Sequence, residues 1–143
     1  MNEAAAQARS VVVEREFPHP PEKLWRALTQ PHLIGEWLMK NDFAPIVGHR
    51  FNLSGDWGGV LDCEVLVVEP DEALSYTWNF AHADPAFDLE SVVTFTLVPT
   101  GAGTRLRMEQ SGFRPEQKQA FGGARVGWQQ FLGKLDQLLS RAD

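Results

Sequence analysis

Apolar and polar positions change period several times along the chain, and each change marks an element. From Ser10 to Phe17 they alternate, with Val11, Val13 and Arg15 on one side and Val12, Glu14 and Glu16 on the other, which predicts a strand. Pro18-His19-Pro20-Pro21 stops it, and Pro21 suits the first turn of a helix, where its missing N–H costs nothing. Leu24, Trp25 and Leu28 repeat at helical spacing within Glu22 to Thr29, and Pro31 starts a second short helix carrying Leu33, Ile34, Trp37 and Leu38. After Gly48 the period falls to two. His49 to Ser54 sets Phe51 and Leu53 against Arg50 and Asn52, and Gly55-Asp56-Trp57-Gly58-Gly59 has the composition of a turn. Val60 to Glu69 is a long strand. Leu74 to Phe80 sets Leu74, Tyr76, Trp78 and Phe80 against Ser75, Thr77 and Asn79. Glu90 to Val98 turns Val93, Phe95 and Leu97 inward, and Thr100-Gly101-Ala102-Gly103 leads into Thr104 to Gln110, where Leu106 and Met108 face in. Short turns between consecutive strands imply an antiparallel sheet.

The last quarter returns to helical spacing, with Phe121, Ala124, Trp128, Phe131, Leu132, Leu135, Leu138 and Leu139 on one stripe. Gly122-Gly123 is expected to separate a preceding turn from the long helix proper. Gly127 and Gly133 lie inside that helix at about 0.8–1 kcal/mol each relative to Ala. Such glycines either admit a close backbone or ligand or are simply tolerated. The order is strand, two short helices, five or six antiparallel strands, long helix. One-sided strands followed by a one-sided helix bury their faces most economically when the sheet curls around the helix, an α+β architecture.

Composition narrows the classes. At 143 residues the chain has the length of one domain, expected to span residues 1–143 with 1–9 as a loose extension. Five Trp and nine Phe stand against one Tyr, a ratio that favours apolar bulk over ring hydroxyls. Thirteen Lys and Arg against nineteen Asp and Glu give a net charge of −6 with no basic run, which argues against nucleic acid and anionic membranes as partners. No apolar run approaches the ~18 residues that a spanning helix needs. Met1 to Ser10, with Glu3 and Arg9, lacks a signal-type stretch. The single Cys63 excludes an internal disulfide and fits a reducing cytoplasm.

An ordered set of residues points to a family. Pro20-Pro21-Glu22-Lys23-Leu24-Trp25-Arg26-Ala27-Leu28-Thr29 is followed by Pro31-His32-Leu33, Glu36-Trp37, Gly48 and Phe51. Cys63 to Val68 runs into Glu69-Pro70, and Leu74-Ser75-Tyr76-Thr77-Trp78, Gly103-Thr104-Arg105-Leu106, Ser111-Gly112-Phe113 and Gly127-Trp128 complete the set. From about Val11 to Leu139 the chain resembles the SRPBCC, or START-like, superfamily. Within it, the chain is similar to the branch of the C-terminal domain of the activator of the heat-shock-protein-90 ATPase. The resemblance implies a helix-grip fold: a curved antiparallel sheet of six to seven strands around a long C-terminal helix, with a cavity between them that takes apolar molecules.

On the assigned inward faces that cavity would be lined by Phe51, Leu53, Cys63, Val65, Tyr76, Trp78, Phe95, Leu106, Met108, Trp128, Phe131 and Leu135. The same residues would equally make an ordinary packed core. The resemblance places Trp37 near the cavity mouth. Trp57, on a glycine-rich loop, is expected to be a lid, a partner contact or a local anchor. Gln110, polar on an inward position, could orient a ligand's polar end or close the strand against backbone or water. Catalytic chemistry is sparse. His19, His32, His49 and His82 share no element, and one cysteine makes no zinc site, so neither a metal nor a cofactor is expected. Asp56, His82, Asp84, Asp88 and Glu90 lie in two loop regions and would matter only if a His–carboxylate pair met there. Cys63 reads as an inert core thiol. The expectation is a cytoplasmic binding module for a small apolar molecule, monomeric or weakly dimeric. Two alternatives stand beside it. One is stimulation of a chaperone ATPase, for which a full co-chaperone's separate client-gripping domain has no room here. The other is a cyclase- or hydrolase-like enzyme, which requires His82 or a nearby carboxylate to point into the cavity.

Overall fold

A computed structural model describes residues 9–56, 58–84 and 88–141. Strand β1 (Arg9–Phe17) ends at Pro18, and helices α1 (Pro21–Thr29) and α2 (Pro31–Trp37) each begin on a proline at their first position. A two-residue strand β2 (Lys40–Asn41), which no alternation announced, precedes β3 (Arg50–Ser54), β4 (Val60–Glu69), β5 (Ala73–Phe80), β6 (Leu89–Pro99) and β7 (Thr104–Phe113). Helix α3 (Lys118–Arg141) closes the described chain.

The strands form one antiparallel sheet in the order β1-β7-β6-β5-β4-β3-β2. The first strand therefore lies beside the last, with Val13 opposite Met108. Gly103, in the β6–β7 turn, lies against this junction: a Cβ there would stand 2.0 Å from the carbonyl oxygen of Phe17. Inward side chains of the curved sheet meet Trp128, Leu132, Leu135, Leu138 and Leu139 of α3. Full burial of each such leucine contributes roughly 1.5–3 kcal/mol. Arg15 of β1 reaches Asp136 of α3 at 3.0 Å, and Lys23 of α1 donates to the Leu139 carbonyl at 2.7 Å.

One expectation is corrected. Helix α3 runs through Gly122-Gly123 without interruption, because two glycines cost only about 2 kcal/mol and the start of the helix is anchored upstream. There the Gln117 side-chain oxygen accepts the Arg114 N–H at 2.9 Å, its amide nitrogen donates to the Asp88 carbonyl, and the Phe121 N–H bonds the Gln117 carbonyl at 3.0 Å. In β4 a bulge between Val65 and Val67 breaks the alternation, leaving Leu66 and Val67 both exposed. Among the described residues, no helix is long and apolar enough to cross a membrane.

Candidate functional site

The inward residues separate into a filled end and an open end. At the β3–β4 end the filling residue is Phe43, from the β2–β3 connection, to which the sequence pattern assigned no role. Its ring meets Phe51 edge-on at 5.0 Å and lies 6.1 Å from Tyr76, while Phe51 and Tyr76 stand 5.1 Å apart. Local hydrogen bonds aim it inward. The Phe43 N–H donates to the Asn41 side-chain oxygen at 3.1 Å, and the Asp42 carboxylate accepts the Asn52 N–H at 2.7 Å. Leu53, Cys63, Val65, Phe95, Leu106, Met108 and Leu135 are buried around this end and the centre. Burial pushes the Cys63 thiol up to about 12, with the Asp62 and Asp42 carboxylates adding to the effect. The thiolate form is thereby suppressed. Burial, and then the neighbouring Cys63, also raise the Tyr76 hydroxyl well above its ordinary value.

Trp37 lines a different solvent-open cleft, beside α2 and β2, with Leu38, Asn41 and Lys134. With 1% of its surface exposed, it donates its indole N–H to the Ala27 carbonyl at 2.8 Å and meets Phe95 edge-on at 6.2 Å. Those contacts lock α2 onto α1 and the sheet. Trp57 lies outside the described residues.

At the opposite end the first half of α3 packs more loosely, through the half-buried Ala120, Phe121 and Ala124, with Phe121 edge-on to Phe113 at 5.6 Å. From Lys118 to Gly127 no residue is fully buried, whereas the leucines of the second half are. Beneath that first half is a recess of about 200 Å3, open to solvent. On the sheet side it is lined by Trp78, Leu89, Gln110 and Phe113. On the helix side Ala120, Gly123, Ala124 and Gly127 form its small-residue roof, flanked by Trp128 and Phe131. A Cβ built at Gly123 or Gly127 meets nothing within 4 Å, so these two positions face space rather than a packed neighbour. The aromatic wall is continuous: Trp78 and Trp128 lie 5.1 Å apart, and Trp128 meets Phe131 edge-on at 5.4 Å.

Gln110 is the polar member of the described lining, and it is 2% exposed. A buried amide must find partners, and a chain of hydrogen bonds supplies them. The Trp128 indole N–H donates to Gln110 Oε1 at 2.7 Å, Gln110 Nε2 donates to Ser91 Oγ at 3.0 Å, and the Ser91 hydroxyl donates to the Trp78 carbonyl at 2.6 Å. The structure thus brings Trp78, Gln110, Trp128 and Phe131 together at one opening and leaves Phe51, Leu53, Cys63, Val65, Tyr76, Phe95 and Met108 out of its lining, among the core, with Phe95 backing Trp128 edge-on at 5.8 Å.

The loop carboxylates and His82 are elsewhere. His82 and Asp84 are exposed, Asp84 donating its backbone N–H to His82 Nδ1 at 2.9 Å and the Asp88 carboxylate accepting the His82 N–H at 3.2 Å. Asp56 and Glu90 are exposed, and neither these groups nor His82 line the recess. Among the described residues, no group of three or more His, Cys, Asp or Glu is placed to hold a metal ion.

Residues 18–140 match the model of the family described as Activator of Hsp90 ATPase homolog 1-like protein. The chain belongs to that family. Its START-like, helix-grip fold is the one seen above. Among solved structures, the chain is similar to protein MLL2253 from Mesorhizobium loti, at 76% identity over 94% of this chain and 99% of that one, with a TM-score of 0.92. It is also similar to CalU16 from Micromonospora echinospora, at 26% identity over 94% of this chain and 78% of that one, with a TM-score of 0.77. DynU16, from the dynemicin biosynthetic locus, is 25% identical over 94% of this chain with a TM-score of 0.81, and this chain spans 48% of it. No curated protein matches the chain. The Activator of Hsp90 ATPase homolog 1-like match covers α1 through α3 and so includes both sides of the recess.

Proposed function

We propose that this member of the Activator of Hsp90 ATPase homolog 1-like family is a binding protein for a small apolar molecule, held between the sheet and the first half of α3. The observation that carries the reading is the recess under Gly123 and Gly127. A helix that only packed on the sheet would gain about 0.8–1 kcal/mol from alanine at each position, and nothing in the structure crowds such a side chain. The lining supports the same reading, because apolar walls with one oriented polar group are the usual make-up of a small-molecule site. Burial of ligand surface there would contribute about 25 cal/mol per Å2. The proposed protein works in the cytoplasm without metal or cofactor, as a monomer or weak homodimer. Phe51, Leu53, Cys63, Val65, Tyr76, Phe95 and Met108 then support the site as core, and Trp37 holds the short helices behind it.

The test is an amide and indole NMR titration with α-methylstyrene, a neutral apolar probe. Expected are saturable shifts concentrated on the Trp78 and Trp128 indole N–H groups and on the Gly123 and Gly127 amides. Absence of saturable shifts at those four positions overturns the reading.

A further inference from the structure

The ligand class of the recess follows from its volume, its charge and a count of donors, given the reading that the recess binds a ligand at all. Volume comes first. About 200 Å3 lies below the ~300–1,000 Å3 of drug-sized sites and above the ~150 Å3 that suffices for benzene. One ring with a short substituent, or two fused rings, fills it. A sterol or a long acyl chain would leave most of its apolar surface in water.

Charge comes next. The described lining contains Gln110 and otherwise apolar or small side chains, with no ionisable group. An ion placed there would lose hydration without a counter-charge, a cost far beyond what a few contacts return. The ligand is neutral. Trp78, Trp128 and Phe131 give it flat walls, which favour a planar ring through edge and offset contacts.

The donor count fixes the polar end. Indole nitrogen is a donor only, so the bond from Trp128 Nε1 identifies the amide atom facing it as the oxygen and settles which way Gln110 points. Its nitrogen, facing Ser91 Oγ, carries two protons, and Ser91 takes one of them while passing its own to the Trp78 carbonyl. The second Nε2 proton has no acceptor among the described residues, although Gln110 is almost wholly buried. Such a donor costs stability unless something in the recess accepts from it.

We infer that the recess selects a neutral, planar one- or two-ring molecule bearing a carbonyl-type oxygen, which accepts a hydrogen bond from Gln110 Nε2 while the ring lies against Trp78 and Trp128. Gln110 is then the specificity-determining residue of the site, and Trp128 is both wall and positioning residue, since its N–H holds the amide in the donating orientation.

Acetophenone and α-methylstyrene have nearly the same shape and differ in C=O against C=CH2, so they isolate the hydrogen bond. Their dissociation constants are measured by NMR titration on the native protein and on Gln110→Leu, and the ratio of the two constants is compared between proteins. The comparison cancels the different hydrophobicities of the probes. A neutral hydrogen bond of ordinary strength predicts that the preference for acetophenone falls roughly fivefold in the variant. In the native protein acetophenone should also shift one Gln110 side-chain N–H proton downfield, and α-methylstyrene should not, a readout that stands even if Gln110→Leu does not fold. Both probes binding with an unchanged ratio and an unshifted Gln110 amide overturns the donor assignment and leaves the binding reading intact. Neither probe binding the native protein overturns both.

Discussion

Alanine at Gly123 and Gly127 should make the protein more stable and a worse binder. Both positions lie in α3, and a Cβ at either meets nothing within 4 Å. Each substitution removes a glycine's backbone entropy cost of about 0.8–1 kcal/mol, so the double variant gains nearly 2 kcal/mol if the two add. At this chain length that corresponds to a melting midpoint higher by roughly 4–8 °C. The new methyls project into the recess, where each displaces about one ligand carbon worth ~0.8 kcal/mol, so probe affinity should fall roughly tenfold. Gly122 supplies the control. Its Cβ is equally unobstructed, but it lines the groove between β1 and α3 rather than the recess. Gly122→Ala should therefore stabilise by a similar increment and leave probe binding alone. Urea denaturation and the α-methylstyrene titration measure the two effects. A destabilised double variant would show that the helix face is not free, and a stabilised one with native probe affinity would remove the recess as the site.

Trp128→Phe deprives Gln110 Oε1 of its 2.7 Å donor and should cost about 1–3 kcal/mol in urea denaturation; a change below roughly 0.5 kcal/mol would mean that the bond carries nothing. Gly103→Ala should cost more than about 2 kcal/mol, because its Cβ would stand 2.0 Å from the Phe17 carbonyl oxygen, whereas Gly101→Ala, with open space around it, should be neutral. Parity between these two variants would contradict the close approach. The Cys63 thiol, raised from 9.0 to about 12 in the fold, contributes stability that is complete below about pH 9. It is lost as pH rises towards 12, because the unfolded chain releases a proton that the folded chain retains. The loss reaches up to about 1.4 kcal/mol per pH unit, and Cys63→Ala should flatten that part of the alkaline decline in a urea series from pH 8 to 10.5. An identical slope in the variant would assign the decline to other groups, Tyr76 first.

The strands and the face each residue takes were legible because a half-buried sheet imposes a period of two, which Leu74, Tyr76 and Trp78 obey. The approach of Trp78 to Trp128 was legible as well, since the sheet must close on the helix stripe. Three features carried no periodic signal. Phe43 sits between proline and polar residues and turns inward through side-chain bonds of Asn41 and Asp42, so its local pattern reads as loop. Gln117 acts through its amide at the start of α3, a role that spacing does not mark. Gly122-Gly123 looked like a break because local propensity disfavours helix there, while packing of the later leucines carries the helix through. An isolated phenylalanine in a polar loop was the available clue to the filled end. The open end was foreshadowed by glycine inside an amphipathic helix, though not its location over Gln110.

The pairing of β1 with β7 also bears on how the chain meets the ribosome. β1 is made before β2 to β6, and its sheet partner among the described strands, β7, follows all of them, so β1 must wait, exposed, while they are synthesised. Non-local pairings of this kind are slow to form and vulnerable while open. The outward charges of β1 suit that wait: Glu14 and Glu16, which finally face Arg107 and Arg105, make a lone strand a poor template for a neighbouring nascent chain.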